Sequence, residues 1–172
     1  MHIRAIRSGG QTGADRGALD AARQAGVPIA GWCPKGGWAE DMTEPPGLMA
    51  PYPELVETPS ADVIQRTEWN VRDSDATLIV CENGLAQSPG TLATIGFAKQ
   101  MGKPCIVVGA DGVAKVMEWL KAVAPADEAG IDLNIAGPRE SGSPGTYALA
   151  KSVVGRVLVE TETETESAGR CD

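Results

Sequence analysis

The residues most able to do chemistry lie in a glycine-rich segment near the start of the chain, where positions 8–16 read SGGQTGADR. Glycines let the backbone approach a ligand closely. A helix beginning there would add unpaired N–H groups and the positive end of its dipole, which suits a phosphate. A tight turn capped by Thr12 is the alternative, because the spacing matches neither the dinucleotide-binding nor the P-loop pattern. The expected ligand-binding residues are Ser8, Gly9, Gly10, Gln11, Thr12 and Gly13.

A second motif, S-P-G-T-x-A, occurs twice, at 88–93 and at 143–148. Proline near a helix start with a hydroxyl beside it is also what an ordinary helix N-terminus favours. For the copy at 143–148, ligand binding and an ordinary helix start are equally favoured. For the earlier copy we expect ligand binding through Ser88, Gly90 and Thr91, because its strand should neighbour the first strand of the sheet.

Two cations follow predicted strands and would supply positive charge to such a ligand. They are Lys35 and Arg139. The alternative is a solvated charge, or a salt bridge to Glu40 or Glu140. The sequence alone does not identify a salt-bridge partner for either cation.

Aromatic and amide side chains could complete the site. Trp32 and Trp38 flank the loop after the second predicted strand, where a flat heterocycle could stack on either ring. Sealing that loop onto the core is the alternative role. Asn70 shares one helix face with Arg66 and Asp73. This stripe is either the solvent-exposed side of the helix or places Asn70 where it holds the loop at 88–91.

Composition excludes several kinds of site. The chain has 172 residues, a net charge of −8, four cysteines and one histidine. The acidic balance argues against binding to nucleic acid or to anionic membranes. The cysteines form no C-x-x-C pair, so we expect no zinc site and no protein metal site. A Ser-His or Cys-His catalytic pair is not expected, and whether the protein is an enzyme stays open.

The elements that must position these residues alternate between strands and helices. Strands are predicted over 3–7, 29–33, 76–82, 104–108 and 133–136, with a further candidate at 54–58. Helices are predicted over 12–24, from a cap at Ser60 or Asp62 to about 71, over 88–102, over 112–123, and from about 144. This alternation predicts an open, parallel α/β sheet of about five strands in a Rossmann-like three-layer sandwich. Its glycine-rich loops should gather at the carboxyl ends of the strands.

One domain is expected over residues 1–159, followed by an acidic disordered tail over 160–172, where glutamates alternate with threonines. No apolar run is long enough to cross a membrane, and the first residues lack the apolar core of a signal peptide. We therefore expect a cytoplasmic protein.

Several long motifs, in order, resemble those of the molybdenum cofactor carrier proteins. They include the segment that begins at 8, G-W-C-P-K-G at 31–36, S-D-A-T-L-I at 74–79, S-P-G-T at 88–91 and L-N-I-A-G-P-R-E-S at 133–141. The resemblance implies a Rossmann-like fold related to the lysine-decarboxylase-like nucleotide-binding group. It also implies a homo-oligomer, either a tetramer or a dimer.

The same resemblance implies binding of the molybdenum cofactor, a phosphate-bearing molybdopterin, or of a related oxomolybdenum anion, with molybdoenzymes as possible partners. A nucleotide sensor is the alternative, because it needs the same phosphate-binding loops. A nucleotide phosphoribohydrolase would need a P-G-G-x-G-T-x-x-E motif. Residues 88–95 contain one glycine and no following glutamate, so a hydrolase is disfavoured.

Overall fold

Five parallel strands form one sheet, which is flanked by helices. The computed structural model describes residues 2–124 and 130–168. The sheet strands are β1 (Ile3–Arg7), β2 (Ile29–Ala30), β5 (Ala76–Val80), β6 (Cys105–Val108) and β7 (Ile131–Ala136). Two further strands, β3 (Trp32–Cys33) and β4 (Val56–Glu57), pair with each other outside that sheet. The Rossmann-like α/β class predicted from the alternating pattern is confirmed.

The helices form the two outer layers. They are α1 (Ala14–Gln24), α2 (Val63–Arg72), α3 (Pro89–Gln100), α4 (Val113–Val123) and α5 (Thr146–Ala168). Helices α1, α4 and α5 pack side by side, and α2 packs against α3. The main core lies between the sheet and the first group, with Ile6, Leu78, Leu133 and Val154 among its buried side chains.

The strand order is β2-β1-β7-β5-β6, so the last strand lies in the middle of the sheet. On one side Leu133 pairs with Ile6, and on the other side Ile135 pairs with Leu78. The expectation that β5 neighbours β1 is therefore wrong. Strand β7 is almost wholly buried, and its insertion between β1 and β5 provides it with a hydrogen-bonding partner on each side.

The strand predicted over 29–33 is broken at Gly31. A Cβ at this position would lie 2.0 Å from the Ser8 carbonyl oxygen, so only glycine permits this close approach. Beyond the break the chain leaves the main sheet, and β3 pairs with β4. The candidate strand at 54–58 therefore exists as β4, and the long loop that precedes it packs its own small core of Leu19, Cys33, Leu48, Tyr52 and Leu55.

Helix α5 runs to Ala168, so it includes most of the segment for which the sequence predicts a disordered tail. Thr161 is buried and donates its hydroxyl to the Leu158 carbonyl at 2.7 Å. Glu164 forms an ion pair with Lys121 of α4, also at 2.7 Å. The apolar stripe of α5 thus continues through Thr161, which the acidic composition obscured. Residues 169–172 of the predicted tail lie outside the described residues.

Candidate functional site: a cleft at the carboxyl edge of the sheet

A cleft of about 780 Å³ opens beyond the carboxyl ends of β1, β5 and β7. Loops after these three strands, one face of α2 and the first turn of α3 form its walls. Parallel α/β sheets commonly bind ligands at this edge. The polar residues that line the cleft are Gln11, Asp15, Arg66, Thr67, Glu82, Asn83, Gln87, Ser88, Thr94, Arg139, Ser141 and Ser143.

A buried ion pair lies at the bottom of the cleft. Arg66 Nη1 lies 3.1 Å from Asp15 Oδ2, and the two side chains are 15% and 5% exposed. Burial raises the pKa of Asp15, while the charge of Arg66 and hydrogen bonds from Gln11 and Arg66 act in the opposite direction. Because Arg66 compensates Asp15, the bottom of the cleft carries little net charge.

The first glycine-rich loop is held by its own side chains. Gln11 Oε1 accepts the backbone N–H groups of Thr12 and Glu40, each at 3.0 Å. The Gln11 N–H donates to Asp15 at 3.3 Å, and the Ala14 N–H donates to the Pro138 carbonyl at 3.2 Å. Several amides that would form a phosphate-binding loop are therefore engaged within the protein.

The first turn of α3 forms the opposite wall. Ser88 caps the helix, since its hydroxyl accepts the Thr91 N–H at 3.2 Å. Pro89 has no N–H, so Gly90 supplies the remaining amide of this turn. A Cβ at Gly90 would meet no atom within 4 Å, so the space beside it is open to a ligand.

Arg139 supplies a second guanidinium to the cleft. Its Cζ lies 5.6 Å from the centre of the Trp38 ring, within the range of a cation–π contact. Trp38 itself lines a neighbouring depression of about 500 Å³, together with Lys35. The ring thus supports Arg139 from outside the cleft.

Glu40 joins the loops that follow β1 and β7. Its carboxylate accepts the hydroxyls of Ser141, at 2.6 Å, and of Thr12. These hydrogen bonds, first that from Ser141 and then that from Thr12, lower the pKa of Glu40. An ionised Glu40 therefore keeps the two loops together at neutral pH.

The predicted ligand-binding residues divide into four groups. Those that line the cleft are Gln11, Ser88, Gly90 and Arg139. Those that lie behind its walls and position the loops and α3 are Ser8, Gly9, Gly10, Thr12, Gly13 and Thr91. Lys35 and Trp38 line the neighbouring depression, and Trp32 and Asn70 contact each other away from the cleft.

Asn70 plays a different part from the one expected. Its amide exchanges two hydrogen bonds of 2.9 Å with the backbone of Trp32, so it holds β3 rather than the loop at 88–91. The Trp32 indole donates to Asp73 at 2.7 Å and packs edge-on against Trp69. These contacts bind α2 to β3, as expected of side chains that seal a loop onto the core.

Sequence reasoning missed Arg66 and Asp15 as cleft residues. The sequence places Arg66 only on a polar helix face and Asp15 only within the segment at 8–16. The weak signal for Asp15 is its place in an alanine-rich helix that is largely buried. A carboxylate at such a position needs a cation from elsewhere in the chain.

Two negative findings apply to residues 2–124 and 130–168. Within them no helix is long and apolar enough to cross a membrane. Within the same residues no group of three or more His, Cys, Asp or Glu side chains is arranged to hold a metal ion.

Comparison with known proteins finds a family model and a solved structure that match this chain. The model of the circularly permutated YpsA SLOG family matches residues 6–158. The crystal structure titled "Putative molybdenum carrier protein", from Syntrophus aciditrophicus SB, has 38% sequence identity and a TM-score of 0.77. The match covers 91% of this chain and 95% of that one. A search of curated proteins finds no match.

The match to the solved structure confirms the resemblance to molybdenum carrier proteins that the motifs indicate. The family model spans β1 to the greater part of α5, and thus every loop that lines the cleft. The chain belongs to the circularly permutated YpsA SLOG family.

Proposed function

We propose that this protein is a carrier that binds the molybdenum cofactor, or a related oxomolybdenum anion, in the cleft at the carboxyl edge of the sheet. The observation that carries the proposal is that Arg139 and the first turn of α3 line one cleft, where Asp15 compensates the charge of Arg66 and leaves that of Arg139 available. Guanidinium groups and helix N-termini are the donors that proteins use for phosphate and other oxyanions. The similar solved structure, titled a molybdenum carrier, supports the choice of ligand.

The cleft residues fit this cargo. A volume of about 780 Å³ lies in the range of sites for small organic ligands. Ile64 and Leu85 add apolar surface to its polar lining, and both side chains are exposed. In this proposal Arg139 and Gly90 contact the phosphate, the apolar wall contacts the pterin, and the cargo's own dithiolene holds the molybdenum.

A nucleotide is the second candidate ligand. The cleft continues, through Glu82, Asn83 and Ser143, into a second depression of about 570 Å³ that also contains Asp111. Carboxylates accept hydrogen bonds from ribose hydroxyls, which molybdopterin lacks. The carboxylates of the second depression support a nucleotide, and hence a nucleotide-binding sensor, as the second candidate, whereas the donors near Arg139 serve both ligands.

Native mass spectrometry of the freshly purified protein, with metal analysis of the same sample, tests the proposal. We expect a bound pterin together with molybdenum. A bound nucleotide without metal would contradict the carrier and support the sensor. Incubation of that complex, followed by an assay for released ribose phosphate, would then detect any hydrolase activity.

The same native mass spectrum gives the oligomeric state. We propose a homo-oligomer, a dimer or a tetramer, that resides in the cytoplasm and passes its cargo to molybdoenzymes. A mass equal to one chain at micromolar concentration would contradict the oligomer. The binding proposal does not depend on this outcome, because every cleft residue named above comes from one chain.

A further inference from the structure

The side-chain amide of Gln11 is fixed in one orientation. Gln11 is 4% exposed, and its Oε1 accepts backbone N–H groups from both Thr12 and Glu40 at 3.0 Å. Both partners are donors, so the atom between them must be the oxygen and not the nitrogen. Reversing the amide would place Nε2 against two N–H groups and lose both hydrogen bonds.

The amide nitrogen of the Gln11 side chain, Nε2, is a hydrogen-bond donor without a partner among the described residues. In that part of the chain, the fully buried side-chain nitrogens and oxygens that lack a partner are Arg16 Nε and Arg66 Nε. Gln11 Nε2 is not one of them, so it retains contact with solvent. Gln11 is also one of the residues that line the cleft.

The two carboxylates that contact the first glycine-rich loop accept hydrogen bonds from the protein. Asp15 accepts from Arg66 Nη1 and from the Gln11 backbone N–H. Glu40 accepts from the hydroxyls of Thr12 and Ser141. Gln11 and Arg66 both line the cleft, so N–H groups of both side chains belong to its wall.

We propose that Gln11 is a specificity-determining residue whose locked amide donates to an unprotonated, anionic oxygen of the ligand. The inference rests on the proposed function, because it assumes that the cleft is the binding site. The oxygen belongs either to the phosphate of a larger ligand or to a free oxyanion such as molybdate. A ligand group that can only donate is rejected there, because Oε1 cannot turn to accept it.

Gln11→Glu removes the side-chain donor Nε2 and keeps the oxygen that accepts the two backbone N–H groups. A glutamate keeps an oxygen for the Thr12 and Glu40 amides and replaces the outward NH2 with a second oxygen. Because the new carboxylate is buried beside Asp15, the thermal unfolding midpoint should fall, and in the folded variant the affinity for AMP or molybdate should fall roughly tenfold or more. Gln11→Leu removes both ends, so it should lower stability as well as affinity.

Isothermal titration with AMP, molybdate and inorganic phosphate gives the test, with Arg139→Gln as a reference. A loss in Gln11→Glu for AMP but not for molybdate would identify a phosphate within a larger ligand, and the reverse would identify a free oxyanion. In the wild type, the 15N resonance of the Gln11 side-chain amide should shift when the bound probe is added. A purely structural role would leave that resonance unmoved.

The outcomes separate the two proposals. If Arg139→Gln weakens binding and Gln11→Glu binds within twofold of the wild type, the role of Gln11 is overturned and the proposed site stands. If the wild type binds none of the three probes and carries no co-purified ligand, the proposed function is overturned and the inference about Gln11 with it. A loss of affinity in both variants, with folding retained and with the Gln11 side-chain amide resonance shifted by the probe in the wild type, supports both.

Discussion

The guanidinium of Arg66 lies directly against the backbone of Gly9. A Cβ built at Gly9 would be 2.0 Å from Arg66 Nη1 and 3.0 Å from Asp15 Oδ2. A side chain at Gly9 would therefore displace the Arg66 guanidinium, and the glycine lets this cation from α2 reach a carboxylate on α1. This contact joins the first glycine-rich loop to the ion pair at the bottom of the cleft.

The first prediction concerns Gly9. Gly9→Asp should abolish ligand binding while the fold survives, because the new side chain displaces Arg66 and brings a negative charge to the bottom of the cleft. Gly96→Ala is the matched control, since a Cβ there meets no atom within 4 Å. Calorimetric titration of both variants checks this. Unchanged affinity in Gly9→Asp would remove the first loop from the site.

The second prediction concerns the Arg66–Asp15 pair. Arg66→Leu leaves a buried carboxylate uncompensated, so the free energy of unfolding should fall by about 3 kcal/mol at pH 7. Burial already raises the pKa of Asp15, and loss of Arg66 raises it further. In the folded variant Asp15 therefore binds a proton at a higher pH than it does in the unfolded chain. Because protonation removes the buried charge, the loss in free energy of unfolding relative to the wild type should shrink as the pH falls towards 4.

Urea unfolding at pH 7 and at about pH 4.5 measures that deficit. Arg72→Leu is the control, because the Arg72–Asp73 pair is exposed at 46% and 29% and should contribute less than about 1 kcal/mol. An equal deficit for Arg66→Leu at both pH values would show that Asp15 does not cause it.

The third prediction concerns the link between loops. Glu40→Ala removes the acceptor for Ser141 and Thr12, so amide hydrogen exchange should become faster across 139–145 at pH 7. Glu44→Ala provides the control in the same loop, because Glu44 is exposed. Exchange rates that match the wild type would mean that backbone contacts alone hold the two loops.

The fourth prediction concerns the thiols. Burial is the first cause that raises the pKa of Cys33 and of Cys105 to about 11, and it raises the pKa of Cys81 as well. At pH 8 fewer than about one in a thousand thiols of pKa 11 is the reactive thiolate. In a Cys171→Ser background, a disulfide reagent should therefore label the folded protein very slowly and all three thiols in urea. Fast labelling of the native protein would contradict this burial.

Local signals in the sequence predicted most elements of the fold. Asp62 and Ser88 do cap α2 and α3, because capping depends on one side chain and its own next turn. The position of β7 between β1 and β5 depends on packing across the whole chain, and no local signal reports it. The alternating threonines and glutamates after residue 160 give no sign that α5 continues, because threonine is polar and Thr161 is buried only through its packing in the folded chain.

The sequence was enough to predict which loops meet at the site, but not which side chains of those loops line the cleft. The glycine-rich loops meet at one edge because carboxyl ends of parallel strands must do so. Lys35 and Arg139 look equivalent in sequence, yet only Arg139 of the two lines the cleft. The difference arises from the break at Gly31, which carries the following loop out of the main sheet.

The most direct test of the central claim compares Arg139→Gln with Lys35→Gln in a titration with the ligand identified by mass spectrometry. Each variant removes one charge, and Trp38 lies beside both positions. If the cleft binds the anionic ligand, Arg139→Gln should weaken affinity roughly tenfold or more, and Lys35→Gln should leave it nearly unchanged. Equal affinities in the wild type and Arg139→Gln, or a larger loss in Lys35→Gln, would contradict the account.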